Sequence, residues 1–97
     1  MLDKIKALMD MQKKMQEIKR ELDNTVFEIQ SSDGLVKIAM NGSQEVQDIN
    51  LFGNLEGLDK DKLQSAIKDT FNRAIKRAQE LAAQKMKDVT GLNLPGI

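Results

Sequence analysis

The chain has 97 residues with 15 basic and 15 acidic side chains, so its formal net charge is zero and its length suits one domain. It contains no cysteine and no histidine, which excludes disulfides, thiolate metal sites and the commonest general base. No apolar run approaches the roughly 20 residues that cross a bilayer, and the charged N-terminal segment is not typical of a signal peptide. We therefore expect a cytoplasmic protein without a membrane partner. A domain of this size buries only about 60–65% of its unfolded surface, which favours an oligomer.

Residues 2–23 are predicted to form a helix with a heptad pattern. Its apolar positions alternate spacings of three and four, which is typical of a coiled-coil seam. The seam residues are Leu8, Met11, Met15, Ile18 and Leu22. Acidic and basic side chains repeat on the outer positions, so they can pair along the exposed face. The seam is expected to pack within a dimer, and the alternative is a groove for a protein partner.

Residues 24–58 hold a single basic residue, Lys37, and are predicted to form three antiparallel strands. The strands are expected over 25–30, 35–40 and roughly 44–51, with a turn at Ser31–Gly34 and a hairpin loop at Asn41-Gly42. In the second strand, Val36, Ile38 and Met40 share one face.

The register of the second hairpin is irregular in the sequence. Val46 is out of phase with Ile49 and Leu51, so a longer loop or a β-bulge is expected. A two-residue loop would pair Ile38 with Glu45, and a three-residue loop would pair it with Val46.

A second long helix is predicted over 59–90, opened by Asp59 as N-cap. Its apolar stripe is formed by Leu63, Ile67, Phe71, Ala74, Ile75, Ala78, Leu81 and Ala82. Gly91 is expected to stop the helix, and Pro95 lies beyond its end. The remaining tail, 91–97, either docks on a partner or frays.

No constellation for catalysis is evident. Ser31, Ser32, Ser43 and Ser65 have no histidine to activate them, and no glycine-rich phosphate loop is present. A Mg²⁺ or Ca²⁺ site could be built from Asp33 or from Asp59 and Asp61. However, the turn accounts for Asp33, and helix capping accounts for Asp59. We predict no catalytic residues, no metal site, no cofactor and no small-molecule substrate. The three phenylalanines are expected to be buried, which disfavours a platform for stacked bases.

Several short motifs in a fixed order resemble one family. They are Met11–Glu17, Gly34–Lys37, Asn41-Gly42, Leu58–Leu63, Phe71–Ala74, Lys85-Met86 and Thr90–Gly96. Over essentially the whole chain, this order is similar to the YbaB/EbfC family of bacterial nucleoid-associated proteins. The loop Leu51–Gly57 departs from the family pattern because it carries two glycines.

The predicted elements give an α+β fold with the order α-β-β-β-α, and the resemblance covers this whole arrangement. The resemblance further implies a homodimer that joins through its β regions, projects its helices as arms, and binds double-stranded DNA in the nucleoid. The residues 1–97 would form one YbaB-like domain: a helical arm (1–23), a β meander (24–58), a long helix (59–90) and a tail (91–97).

Basic residues on the helices are the candidates for contact with DNA phosphates. We predict Lys13, Lys14, Arg73, Lys76, Arg77, Lys85 and Lys87. The competing interpretation is a solvated face with internal ion pairs, for which Asp69–Arg73 and Lys76–Glu80 have suitable i,i+4 spacing. The alternative function is a protein-interaction scaffold that uses the first helix, with DNA contact incidental.

Overall fold

The computed structural model describes residues 2–90, which form two helices and a three-stranded sheet. The elements are α1 (Leu2–Asn24), β1 (Val26–Gln30), β2 (Val36–Asn41), β3 (Val46–Leu51), a short 3₁₀ turn (Leu55–Gly57) and α2 (Lys60–Thr90). This order confirms the predicted α-β-β-β-α arrangement. The 3₁₀ turn was not predicted. The expected helix stop at Gly91 and the tail 91–97 lie outside the described residues.

The sheet is an antiparallel meander with β2 in the centre. Ile38 lies opposite Ile29 on one side and Ile49 on the other. The predicted bulge is confirmed: Ala39 pairs with Asp48 and Met40 with Val46, which leaves one extra residue on β3. Neither of the two simple loop registers occurs, since the loop and the bulge together place Ile49, and not Glu45 or Val46, opposite Ile38. The bulge also brings Val46 onto the same face as Ile49 and Leu51.

The core lies between β2 and α2. Val36, Ile38 and Met40 are fully buried, as the alternation in β2 predicted. The residues of α2 that are buried against the sheet are small and recur every four positions: Ala66, Thr70, Ala74 and Ala78. Small side chains let the helix axis approach the sheet closely. The bulkier members of the predicted stripe, among them Leu63, Ile67 and Ile75, pack only partly buried at the flanks.

Helix α1 is anchored at its C-terminal end. Of the predicted seam, only Ile18 and Leu22 are buried, whereas Leu8, Met11 and Met15 are 68%, 62% and 44% exposed. The molecule is correspondingly elongated, with principal extents of 68 × 23 × 16 Å. Among residues 2–90, nothing buries the seam residues that precede Ile18.

The loop between β2 and β3 holds the end of α1. The Gly42 backbone N–H donates to the carbonyls of Leu22 (2.9 Å) and Thr25 (3.0 Å). The Asn41 side-chain N–H₂ donates to the Asp23 carbonyl at 3.1 Å, and the Thr25 hydroxyl donates to the Glu21 carbonyl at 2.6 Å. A helix leaves its last carbonyls without intrahelical partners, so this junction supplies donors that α1 lacks.

Gly42 is required at the junction for steric reasons. A Cβ atom at this position would lie 2.7 Å from Leu22 Cδ2 and 3.1 Å from the Leu22 carbonyl oxygen. The loop can therefore approach α1 this closely only with glycine at position 42.

Two carboxyl groups hold loops in place and have lowered pKa values. The pKa of Asp23 is lowered chiefly by the hydrogen bond from the Ser43 hydroxyl and then by Lys19. The pKa of Asp33 is lowered by the Ser31 hydroxyl, at 2.7 Å, and by the Leu35 N–H, at 3.0 Å. Asp33 is exposed and Asp23 is half-buried, and both carboxylates favour the charged form because donors point at them.

We expect acid to destabilise the protein through these two groups. Each folded pKa is lower than its unfolded value near 3.9, so the stability contributed is fully present above about pH 4 and is lost as pH falls through the folded pKa. Ser43→Ala should raise the folded pKa of Asp23 and so reduce the acid loss. Carboxyl titration by NMR and unfolding midpoints at several pH values would test this, with the exposed Ser32→Ala as control. An acid loss unchanged by Ser43→Ala would contradict the assignment.

Candidate nucleic-acid interface

All seven predicted DNA contacts lie on the two helices, and four of them are exposed lysines without a partner in the described residues. Lys13 and Lys14 lie on α1, and Lys76 and Lys87 lie on α2. Within residues 2–90, no hydrogen bond or ion pair involves any of these four ammonium groups. Lys76 and Lys87 are eleven residues apart, which places them on one face of α2, about 16 Å apart along the axis.

The other three predicted residues have protein partners. The Arg73 guanidinium donates to the Gln30 carbonyl at 2.7 Å, which ties α2 to the end of β1. Arg77 lies 3.5 Å from Glu80, and Lys85 lies 3.2 Å from Glu21. The Lys85–Glu21 pair joins α2 to α1. The two ion pairs, Arg77–Glu80 and Lys85–Glu21, are at the surface, where such a pair contributes about 0–1 kcal/mol and can be exchanged for a phosphate contact.

The predicted pairs Asp69–Arg73 and Lys76–Glu80 do not form among the described residues. Arg73 instead reaches the end of β1, and Glu80 is contacted by Arg77 one position along from Lys76. The competing ion-pair interpretation of this helix face therefore loses the two pairs on which it depended.

A groove lies between the β1–β2 turn and the first half of α2, and its charge is mixed. Asp33, Asp61 and Asp69 line it together with Lys62 and Arg73. The buried Thr70 hydroxyl, which has no hydrogen-bond partner, also lies here. No group of three or more acidic side chains that could hold a metal occurs in the described part of the chain. The groove is therefore not a purely cationic surface.

The prediction that the three phenylalanines are buried is wrong for two of them. Phe52 is 42% exposed and Phe71 is 37% exposed, whereas Phe27 packs against the core. Phe52 is exposed because α2 lies mainly over β2 and β1, which leaves the segment after β3 uncovered. Phe71 is exposed because the face of α2 that meets the sheet is formed by Ala66, Thr70, Ala74 and Ala78. The Lys37 ammonium lies 6.0 Å from the Phe52 ring centre, at the outer limit of a cation–π contact.

None of the helices within residues 2–90 combines the length and the apolar character that crossing a bilayer requires. The surface of residues 2–90 carries two helices rich in lysine and, on β3, exposed apolar side chains.

Comparison with known proteins identifies a similar fold and a family. The structure is similar to the crystal structure of the uncharacterized protein HP0035 from Helicobacter pylori, with a TM-score of 0.80 at 22% sequence identity. The match covers 94% of this chain and 98% of that one, and it supports the same fold. The sequence profile of the YbaB/EbfC DNA-binding family matches residues 1–93, and the chain therefore belongs to that family.

Proposed function

We propose that this protein binds double-stranded DNA as a homodimer, mainly through contacts between helix lysines and backbone phosphates, and is found in the bacterial nucleoid. Family membership supports DNA as the partner. The observation that supports this choice of surface is that four of the predicted residues are exposed lysines with no ion pair among residues 2–90: Lys13, Lys14, Lys76 and Lys87. Lysines that displace counterions from phosphates supply most of the non-specific affinity of a protein for DNA.

The edge of the sheet at β3 is the proposed contact between the two copies. Its apolar side chains are uncovered: Val46, Ile49, Leu51 and the following Phe52 are 40%, 48%, 48% and 42% exposed. The opposite edge, β1, has only Val26 among the large exposed apolar residues. A free strand edge with apolar side chains is a template for pairing with another strand. A second copy of the chain would cover it.

A dimer would also compensate for the weak electrostatic attraction between a single chain and DNA. The formal net charge is zero, so attraction to DNA depends on where the lysines lie and not on total charge. Two copies would present each lysine twice, and linked binding sites can raise affinity by about 10²–10⁴-fold.

Charge reversal tests the proposed DNA surface. The double variants Lys13→Glu/Lys14→Glu and Lys76→Glu/Lys87→Glu should each weaken binding to a duplex and make its salt dependence shallower. Each lost phosphate contact should reduce the slope of log K against log salt by about 0.9. Binding would be measured by fluorescence anisotropy across a salt series.

The matched controls are Lys13→Arg/Lys14→Arg and Lys76→Arg/Lys87→Arg, which keep the charge and should keep the salt slope. Circular dichroism would establish that all variants fold. Wild-type affinity in both Glu variants would overturn the assignment of these lysines.

A second candidate function is a protein-interaction scaffold that uses α1. The exposure of Leu8, Met11 and Met15 favours it, since an uncovered apolar helix face can receive a partner helix. Under this alternative, DNA binding would vanish near physiological salt, and a protein would co-purify through α1 and be lost in a Leu8→Glu/Met11→Glu variant.

A further inference from the structure

We propose that Asn41-Gly42 is a latent deamidation site that docking of α1 keeps closed. Asparagine followed by glycine is chemically prone to deamidation, because glycine has no side chain to hinder attack by its backbone nitrogen. In this protein the pair forms part of the junction between the β2–β3 loop and α1. The inference concerns the chemistry of the junction and is independent of DNA binding.

The reaction needs no reagent other than water. The Gly42 backbone nitrogen attacks Cγ of Asn41, and the bond from Cγ to the side-chain nitrogen breaks. The proton lost from the Gly42 nitrogen leaves with that side-chain nitrogen as ammonia. Water then opens the cyclic imide at either of its two carbonyl carbons, which gives aspartate or isoaspartate at position 41.

The folded junction opposes each requirement of this reaction. The attacking nitrogen is occupied, since its N–H donates to the carbonyls of Leu22 and Thr25 at 2.9 and 3.0 Å. The Asn41 side chain is immobilised by hydrogen bonds at both of its polar atoms. Asn41 is only 2% exposed and Gly42 is buried, so water has little access to the reacting atoms.

The Asn41 side chain uses its full hydrogen-bonding capacity. Its oxygen accepts from the N–H groups of Ser43 (3.0 Å) and Glu45 (2.9 Å). Its N–H₂ group donates to the Asp23 carbonyl (3.1 Å) and to the Glu45 carboxylate (2.8 Å). Two donors and two acceptors are the whole capacity of an asparagine amide. Rotation toward the Gly42 nitrogen would therefore break bonds that nothing in the folded junction replaces.

The end of α1 supplies one acceptor to each of the two reacting groups. The carbonyls of Leu22 and Asp23, which belong to α1, accept the N–H groups of Gly42 and Asn41. Within α1 only Ile18 and Leu22 are buried, so this helix is attached by few apolar contacts. Elements with few buried contacts open locally at lower free energy than the core does. Undocking of α1 would remove the Leu22 acceptor from the Gly42 N–H and the Asp23 acceptor from the Asn41 amide together.

The product would prevent α1 from docking again in the same way. An aspartate at position 41 has no side-chain N–H to donate to the Asp23 carbonyl. It would also place a carboxylate where Asn41 now meets the Glu45 carboxylate at 2.8 Å. The modification would therefore mark, irreversibly, chains whose first helix has detached.

The test compares deamidation of the full-length folded protein with that of variants in which α1 opens more often. Leu22→Ala removes half of the buried anchor and should raise the rate at Asn41 by at least roughly tenfold, since loss of a buried leucine strongly favours opening. Leu8→Ala is the matched control, because Leu8 is on the same helix but 68% exposed, and its rate should equal that of the wild type. The full chain unfolded in urea gives the unprotected rate. Peptide mass mapping would locate the modification and separate aspartate from isoaspartate.

Hydrogen exchange at the Gly42 amide keeps the test decisive if Leu22→Ala fails to fold. In the wild type and in the milder Ser43→Ala variant, the deamidation rate at Asn41 should rise in proportion to exchange at Gly42. A folded wild type that deamidates as fast as the urea-unfolded chain would overturn the proposal. So would faster exchange at Gly42 without faster deamidation at Asn41.

Discussion

Replacing Asn41 with alanine should lower the free energy of unfolding by about 3 kcal/mol, because one buried side chain makes four hydrogen bonds at the junction. A typical buried hydrogen bond contributes about 0.5–1.5 kcal/mol, and the groups left behind lose their partners in a site with little access for water. Urea unfolding followed by far-UV circular dichroism would measure the change. The protein concentration must be equal for both proteins, since association would couple stability to concentration.

Asn50→Ala is the control for this substitution. Asn50 lies on β3, is exposed, and its side chain makes one hydrogen bond, to Asp48 at 3.2 Å. Its replacement should change the free energy of unfolding by no more than about 0.5 kcal/mol. A cost below about 1 kcal/mol for Asn41→Ala would mean that the junction does not anchor α1. Faster hydrogen exchange in the last turn of α1 should accompany the expected loss.

The order of the elements could be predicted because it rests on short-range patterns. The heptad spacing in α1 and the alternation around Ile38 each specify an element from neighbouring residues alone. Asp59 behaves as the predicted N-cap, since its carboxylate accepts the Asp61 N–H at 3.0 Å. The phase change at Val46 indicated a bulge, and the bulge is present.

The packing of α2 was harder to predict because it depends on which helix face meets the sheet. The bulky residues of its stripe suggested that face, yet Ala66 and Thr70 are buried while Phe71 is 37% exposed. The sequence contains the signal, a series of small residues at four-residue spacing. A choice of the buried face based on apolar side chains alone favours large residues over alanine. Such a choice also does not predict a fully buried threonine.

The candidate site shows the same division between local and long-range information. The exposure of Lys76 and Lys87 follows from their position opposite the apolar stripe. Lys85 has few acidic neighbours on its own helix, but its partner, Glu21, lies on the other helix 3.2 Å away. Contacts between elements distant in the sequence cannot be inferred from helical spacing.

Replacing Ile49 with glutamate should convert the proposed homodimer into a monomer. Ile49 is 48% exposed on β3, so a single chain can tolerate a charge there, whereas an interface would bury that charge without a partner. Loss of the second copy should weaken DNA binding by roughly a hundredfold or more, because two linked sets of lysines become one. Light scattering coupled to size exclusion would give the mass, and anisotropy would give the affinity.

Val26→Glu is the matched control for the dimer prediction. It adds the same charge at an apolar position that is 54% exposed, on the opposite edge strand. Both variants change the net charge equally, so a difference between them in DNA affinity reports the assembly and not the added repulsion of phosphates. An Ile49→Glu protein that remains a dimer would place the contact away from β3. A monomeric variant with the affinity of Val26→Glu would mean that one chain binds DNA as well as two, and that the lysines of α1 and α2 suffice without a second copy.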